Sequence, residues 1–173
     1  MAKQNELLTL KRASLILGLC GEYKKRWDSC CTKEDLIKLS MDANGVEFMA
    51  DSIAFGWGLS KEYLTKEFSE YINGKYLIRE KGYTSEMFVG LTEDKIKPRS
   101  TLSLFVGCNC TILLQNHFVG KIYTCGGSNI EIDTGDCIMC ELYIYGSNNN
   151  IRILGDDTNV RKTEITGSQW RKV

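Results

Sequence analysis

Cys137-Ile138-Met139-Cys140 has the two-residue spacer of a zinc knuckle, and Cys108-Asn109-Cys110 and Cys30-Cys31 can add thiolates to it. Side chains alternate along an extended strand, however, so Cys137 and Cys140 point to opposite faces if residues 138–145 form the strand they read as. No second knuckle stands at a matching distance, so neither a metal nor a cofactor is expected. Cys110 heads a column of isoleucines and reads as a small core residue. The single histidine, His117, lies between Gln115-Asn116 and Phe118 at a chain corner, and one histidine alone supports no Ser-His or Cys-His relay. Carboxylates make a better catalytic case. Asp136 and Asp157 are 21 residues apart, with Asp133 and Asp156 close by. Stacked in register, they can hold calcium or act on a glycan, as in some β-helix enzymes. Thr134-Gly135-Asp136 and Gly155-Asp156-Asp157 are equally ordinary turn chemistry, and the chain is much shorter than those enzymes. No catalytic residue is assigned.

Two surfaces qualify as binding sites. Tyr123 and Tyr143 share an outward column, and Tyr145 follows on the face of Tyr143. Such a strip can stack on sugars or anchor a protein partner, or its rings can pack on one another and against a helical region. Trp57 and Tyr63 mark a second candidate on the helical side. The helix-loop-helix at 46–72, followed by two short strands, also suggests a winged helix. Its last helix carries Lys61 and Lys66 against Glu62, Glu67 and Glu70, so phosphate repulsion speaks against nucleic acid as a partner.

These residues are positioned by a repeat. Steps of 20 and then 21 residues take Cys110 to Ile130 to Ile151, Ile112 to Ile132 to Ile153, and Val119 to Met139 to Val160. The same steps carry Leu102 to Ile122, Leu142 and Thr163, and Leu104 to Thr124, Ile144 and Ile165. Apolar residues fall over apolar ones, as they do when the coils of a parallel β-solenoid bury a shared column. Lys121, Glu141 and Lys162 form an outward column of alternating sign, and Thr111, Glu131 and Arg152 form another. Coils lie about 4.8 Å apart, so opposite charges on adjacent rungs can pair. Glycine, serine and asparagine clusters at 126–128, 146–148 and 167–168 supply the corners.

Before Pro98, the only proline, the spacing is helical. Leu7, Leu10, Ser14, Leu17, Cys20 and Trp27 stripe a first helix, Thr32 caps a second that runs to about Ala43, and Asn44-Gly45 breaks it. A third covers Val46 to Ile53, stopped by Gly56-Trp57-Gly58. Ser60 caps a fourth carrying Leu64, Phe68, Tyr71 and Ile72, and residues 76–78 and 87–89 read as a short hairpin. The expected fold is α+β: a small helical domain with that hairpin over 1–97, then a parallel β-solenoid of about three to four coils over 98–173, its far end capped by the polar tail 169–173 with Trp170.

Bulk properties set the remaining expectations. Among 173 residues, lysine plus arginine equals aspartate plus glutamate at 22 each, so no global field favours nucleic acid or an anionic membrane. Lys11 and Arg12 interrupt the apolar run at 7–19, no stretch has the length of a membrane span, and eight cysteines without an export signal read as thiols. A cytoplasmic protein is expected, or a virion component.

The segments Asp42-Ala43-Asn44-Gly45, Ala50-Asp51-Ser52-Ile53-Ala54, Gly56-Trp57-Gly58-Leu59-Ser60 and 71–76, with Cys108-Asn109-Cys110-Thr111 opening the repeats, carry a likeness that extends over most of the chain. In this order the chain resembles uncharacterised proteins encoded by Bacteroidales bacteria and their phages. The resemblance implies a phage or mobile-element context and carries no activity or site residues. The functional expectation is a non-enzymatic interaction or assembly protein with the solenoid as a rigid platform, binding a protein partner or further copies of itself as a homo-oligomer. A glycan-binding or glycan-processing β-helix is the alternative, and a winged-helix-like regulator comes after it.

Overall fold

The computed structural model of the chain describes residues 21–170, and two of its helices begin at side chains that hold the free amides of a first turn. Among the described residues the helices are α1 (Gly21–Ser29), α2 (Lys33–Ser40), α3 (Gly45–Ala54) and α4 (Lys61–Glu67). Leu7, Leu10, Ser14, Leu17 and Cys20, expected on the first helix, lie outside the described residues. Thr32 and Asp35 form a reciprocal capping box on α2, and Ser60 caps α4 through the amide of Tyr63.

Two helices end earlier than expected. The second stops at Ser40, and Gly45 opens α3 instead of merely breaking α2. A Cβ at Gly45 would lie 2.4 Å from the carbonyl oxygen of Leu39, so only glycine lets the chain double back this tightly. The carboxylate of Asp42 accepts the amides of Asn44 (3.1 Å) and Gly45 (2.7 Å) and pairs with Arg26 at 3.1 Å, tying the turn to α1. The fourth helix ends at Glu67, leaving Tyr71 and Ile72 in the turns beyond it. There the chain leaves the helix axis so that Asn73 can bond along a strand: its amide donates to Met87 O, and its side chain exchanges bonds with Val89.

The strands are β1 (Ile78–Glu80), β2 (Tyr83–Val89), β3 (Thr92–Ile96), β4 (Leu102–Val106), β5 (Asn109–Leu113), β6 (Val119–Cys125), β7 (Asn129–Asp133), β8 (Met139–Tyr145), β9 (Asn150–Leu154) and β10 (Val160–Ile165). They form one sheet in the order β1-β2-β4-β6-β8-β10 and a second in the order β3-β5-β7-β9. Among the described residues only the β1–β2 hairpin is antiparallel. The fold is therefore α+β, with helices in the N-terminal part and a parallel β-solenoid of about four turns.

The solenoid begins before Pro98. β2 and β3 run parallel to β4 and β5, so a division at 97/98 cuts through the first coil. The charged sequence of β3 and the bulge between Thr92 and Asp94 hide that rung from the apolar period. In the second sheet the expected columns hold throughout: Cys110, Ile130 and Ile151 are partners, as are Ile112, Ile132 and Ile153.

In the first sheet the expected register holds only between β6 and β8. Leu102 opposes Lys121 instead of Ile122, and Leu104 opposes Tyr123 instead of Thr124. The corner at Gly107-Cys108 is one residue shorter than the next, at Gly126-Gly127-Ser128, because Val106 aligns with Cys125 while Asn109 aligns with Asn129. One residue changes the face, so Leu102 and Leu104 pack against the helices while Ser103 and Phe105 point into the coil. At the other end Val160 opposes Cys140 rather than Met139, which sets Arg161, not Lys162, beside Glu141.

Two cores result, one on each side of the first sheet. Inside the coils lie Phe88 stacked on Phe105 (centroids 4.7 Å apart), Ile122, Leu142 and the isoleucines of the second sheet. Between the first sheet and the helices lie Val46, Met49, Leu64, Leu104 and Val106. The inner column opens on a carboxylate, Glu86, held by Ser100 Oγ (3.1 Å) and by the amide of Arg99 (2.6 Å), whose guanidinium lies 3.3 Å away.

Candidate interaction surface

The outward column of the first sheet does hold the tyrosines, and α3 covers most of them. Tyr123 and Tyr145 are each 1% exposed, while Tyr143 is half-buried. The rings of Tyr123 and Tyr143 stack at 4.9 Å and 11°, as parallel in-register strands require. The Tyr123 hydroxyl donates to Glu47 on α3 at 3.3 Å, and burial together with Glu47 pushes its pKa up. Helix and sheet approach closely because the corners Gly126 and Gly146 adopt positive φ and carry no Cβ toward Ile53 and Ala54. The tyrosines thus pack on one another and against the helical layer, the second of the two arrangements open to them.

Trp57 joins a different cluster. Its indole donates to the fully buried carboxylate of Asp51 at 2.8 Å, which also accepts from Ser168 Oγ (2.6 Å) and the Gln169 amide (2.8 Å). Phe48 lies edge-on between Trp57 and Trp170. The segment after β10, through Trp170, therefore folds onto α3 rather than over the end of the solenoid, and residues 171–173 lie outside the described residues. Tyr63, half-buried on α4, packs against the helical core and Phe68. The expected site residues accordingly fall into three groups: the tyrosine stack, Trp57 in the tail clasp, and Tyr63.

The same outward column continues past the helix, and there it is open. Val119 and Met139 are partners on adjacent rungs, 47% and 48% exposed, and neighbouring Ile138 is 56% exposed. Between this apolar cluster and the tyrosines stands a polar band. Lys121 Nζ lies 2.9 Å from Glu141, which also accepts from Tyr143 at 3.1 Å, and these partners with Arg161 hold its carboxyl below the usual range. The column Lys121–Glu141–Arg161 keeps the alternating sign read from the sequence, with Arg161 in place of Lys162. Val119 and Met139 were aligned by the repeat, but an alignment of apolar columns does not say which of them a helix will cover.

The outer face of the second sheet is polar. Asn129 donates to Asn109 at 2.9 Å and Asn150 to Asn129 at 2.8 Å, forming an asparagine ladder. Beside it Arg152 pairs with Glu131 at 3.3 Å, and a shallow trough of about 420 Å³ runs along Lys95, Thr111, Glu131 and Arg152.

The other chemical candidates are placed as follows. Cys137 and Cys140 both face the inner core and do not lie on opposite faces, because β8 starts at Met139 and Cys137 belongs to the corner. Burial raises the thiol of Cys140 to about 12 and that of Cys110 likewise to about 12, which makes them poor ligands and nucleophiles. His117 is exposed, 3.4 Å from Asp136. Asp133 and Asp156 each accept an amide two residues on in their own turns, and Asp157 closes a turn with Val160. Among the described residues no group of three or more His, Cys, Asp or Glu is placed to hold a metal ion, and no helix is long and apolar enough to cross a membrane. The winged-helix outline dissolves, since β2 is the first rung of the solenoid and α4 leans on its corner through Lys61 and Gly107 O at 3.3 Å.

Comparison with known proteins returns no matching family model, curated protein or solved structure. The surface itself therefore carries the functional argument.

Proposed function

We propose that this is a non-enzymatic interaction or assembly protein, which takes a protein partner at Val119, Ile138 and Met139 and uses the solenoid as a rigid platform. The observation behind this reading is that apolar cluster, roughly half exposed, on adjacent rungs of a sheet whose outward tyrosines lie under a helix. Contiguous exposed apolar side chains rimmed by charge are characteristic of protein interfaces. Parallel rungs fix the backbone beforehand, so little ordering entropy opposes docking. The Lys121–Glu141 pair beside the cluster supplies orientation. A phage or mobile-element setting, which the resemblance implies, suits an assembly role of this kind.

The test is a pulldown from the native host with tagged wild type and with the double variant Val119→Glu, Met139→Glu. These side chains face solvent, so the fold should be kept, the two like charges on adjacent rungs costing about 1 kcal/mol or less, while the specific partner falls by roughly tenfold or more, the scale of a lost apolar anchor. Full retention of the partner would contradict the reading. A second reading rests on the asparagine ladder, whose aligned amides suit a hydroxyl-rich glycan. Loss of a co-purifying glycan on Asn129→Arg, with no effect of the apolar double variant, would favour it.

A further inference from the structure

We infer that the outer edge of β10 is a joint for a second copy of this chain, paired antiparallel about Thr163. β10 is the last strand of the first sheet, and among the described residues no strand lies beyond it. Its backbone groups on that side are a template for another strand. At the same end the inner residues Ile151, Ile153 and Val160 are only half-buried, because no further rung covers them.

The register slip at Val160 determines what this edge presents. Lys162 stands over Leu142 and Glu164 over Ile144, so both side chains point along inner columns that are apolar in the coil beneath. They pair with each other at 2.6 Å and remain 43% and 60% exposed. Inward charges on an edge strand guard against indiscriminate pairing. A parallel rung continuing the apolar columns would desolvate both charges without giving either a new partner.

This pair, however, has a direction along the strand, base before acid, and an antiparallel copy presents it reversed. Centred on Thr163, the pairing puts Lys162 opposite Glu164 of the second copy and Glu164 opposite its Lys162, with Thr163 facing Thr163. One two-fold operation satisfies both charges, as an isologous interface requires. Ionic groups at such a joint specify register and partner rather than add strength. The inference rests on the assembly reading above but uses a different surface.

Sedimentation of the full chain tests it. Wild type should sediment as a dimer, and Lys162→Glu or Glu164→Lys alone should halve the mass by setting like charges face to face. An equimolar mixture of the two variants should recover the dimer, since acid then meets base at both positions. The chain carrying both substitutions should dimerise on its own, which controls for loss of fold. The Val119→Glu, Met139→Glu variant should remain dimeric whether or not it keeps its partner, so the two ideas fail separately. A monomeric wild type at the highest soluble concentration, or single variants that stay dimeric, would overturn the inference and leave the charges as an edge guard.

Discussion

Tyr123 shows how far a side chain's surroundings, not its direction, decide its role. It points out of the solenoid, as the alternation requires, yet it is 1% exposed because α3 lies across it. Replacing it by serine removes a ring stacked on Tyr143 and leaves the polar Glu47 facing a void. By the usual cost of large-to-small changes in a core, Tyr123→Ser is expected to lose about 3–5 kcal/mol, read from a denaturant midpoint. Val119→Ser, on the same column but half exposed, should cost well under about 1 kcal/mol. Equal effects of the two substitutions would mean that the helix does not seal the column where it is described. Asp51 teaches a related lesson: nothing in the sequence marks its carboxylate, and only the fold brings Ser168 and Gln169, 117 and 118 residues on, to it beside Trp57.

At the scale of elements, the second sheet is the better specified. Ile132 is fully buried between Ile112 and Ile153, so Ile132→Asp should place an uncompensated charge in the inner column and cost several kcal/mol. Glu131→Lys replaces the exposed pair with Arg152 by an exposed like-charge contact and should cost about 1 kcal/mol or less. Thermal melts of the two variants check this, and indistinguishable curves would refute the inward assignment. These columns were legible because the isoleucines recur and the corners between them keep step. The slips in the first sheet were not, since leucine serves equally on the coil interior and under a helix, and a missing corner residue at Gly107-Cys108 leaves no mark on composition. The helix starts at Thr32 and Ser60 were legible from capping chemistry, whereas the early ends of α2 and α4 depend on tertiary demands at Gly45 and Asn73.

For the whole molecule, the consequence of the fold is an asymmetry of surfaces. Helix α3, with the tail clasped to it, covers the first sheet over the tyrosines and α4 packs beside β2, while the apolar cluster at Val119, Ile138 and Met139 and the polar ladder of the second sheet stay open. The apolar cluster was half legible: the repeat aligned Val119 with Met139, but nothing local distinguishes a column left bare from one that a helix crosses. The central claim is that partner contact falls on the bare part of the first sheet. Covalent side-chain footprinting of the protein, free and bound to its co-purified partner, tests it most directly. Protection of Val119, Ile138, Met139 and Lys121, with Trp57, Tyr63 and Trp170 labelled as before, is the predicted result; protection centred on Trp57, Tyr63 and Trp170, with Met139 unchanged, would contradict it.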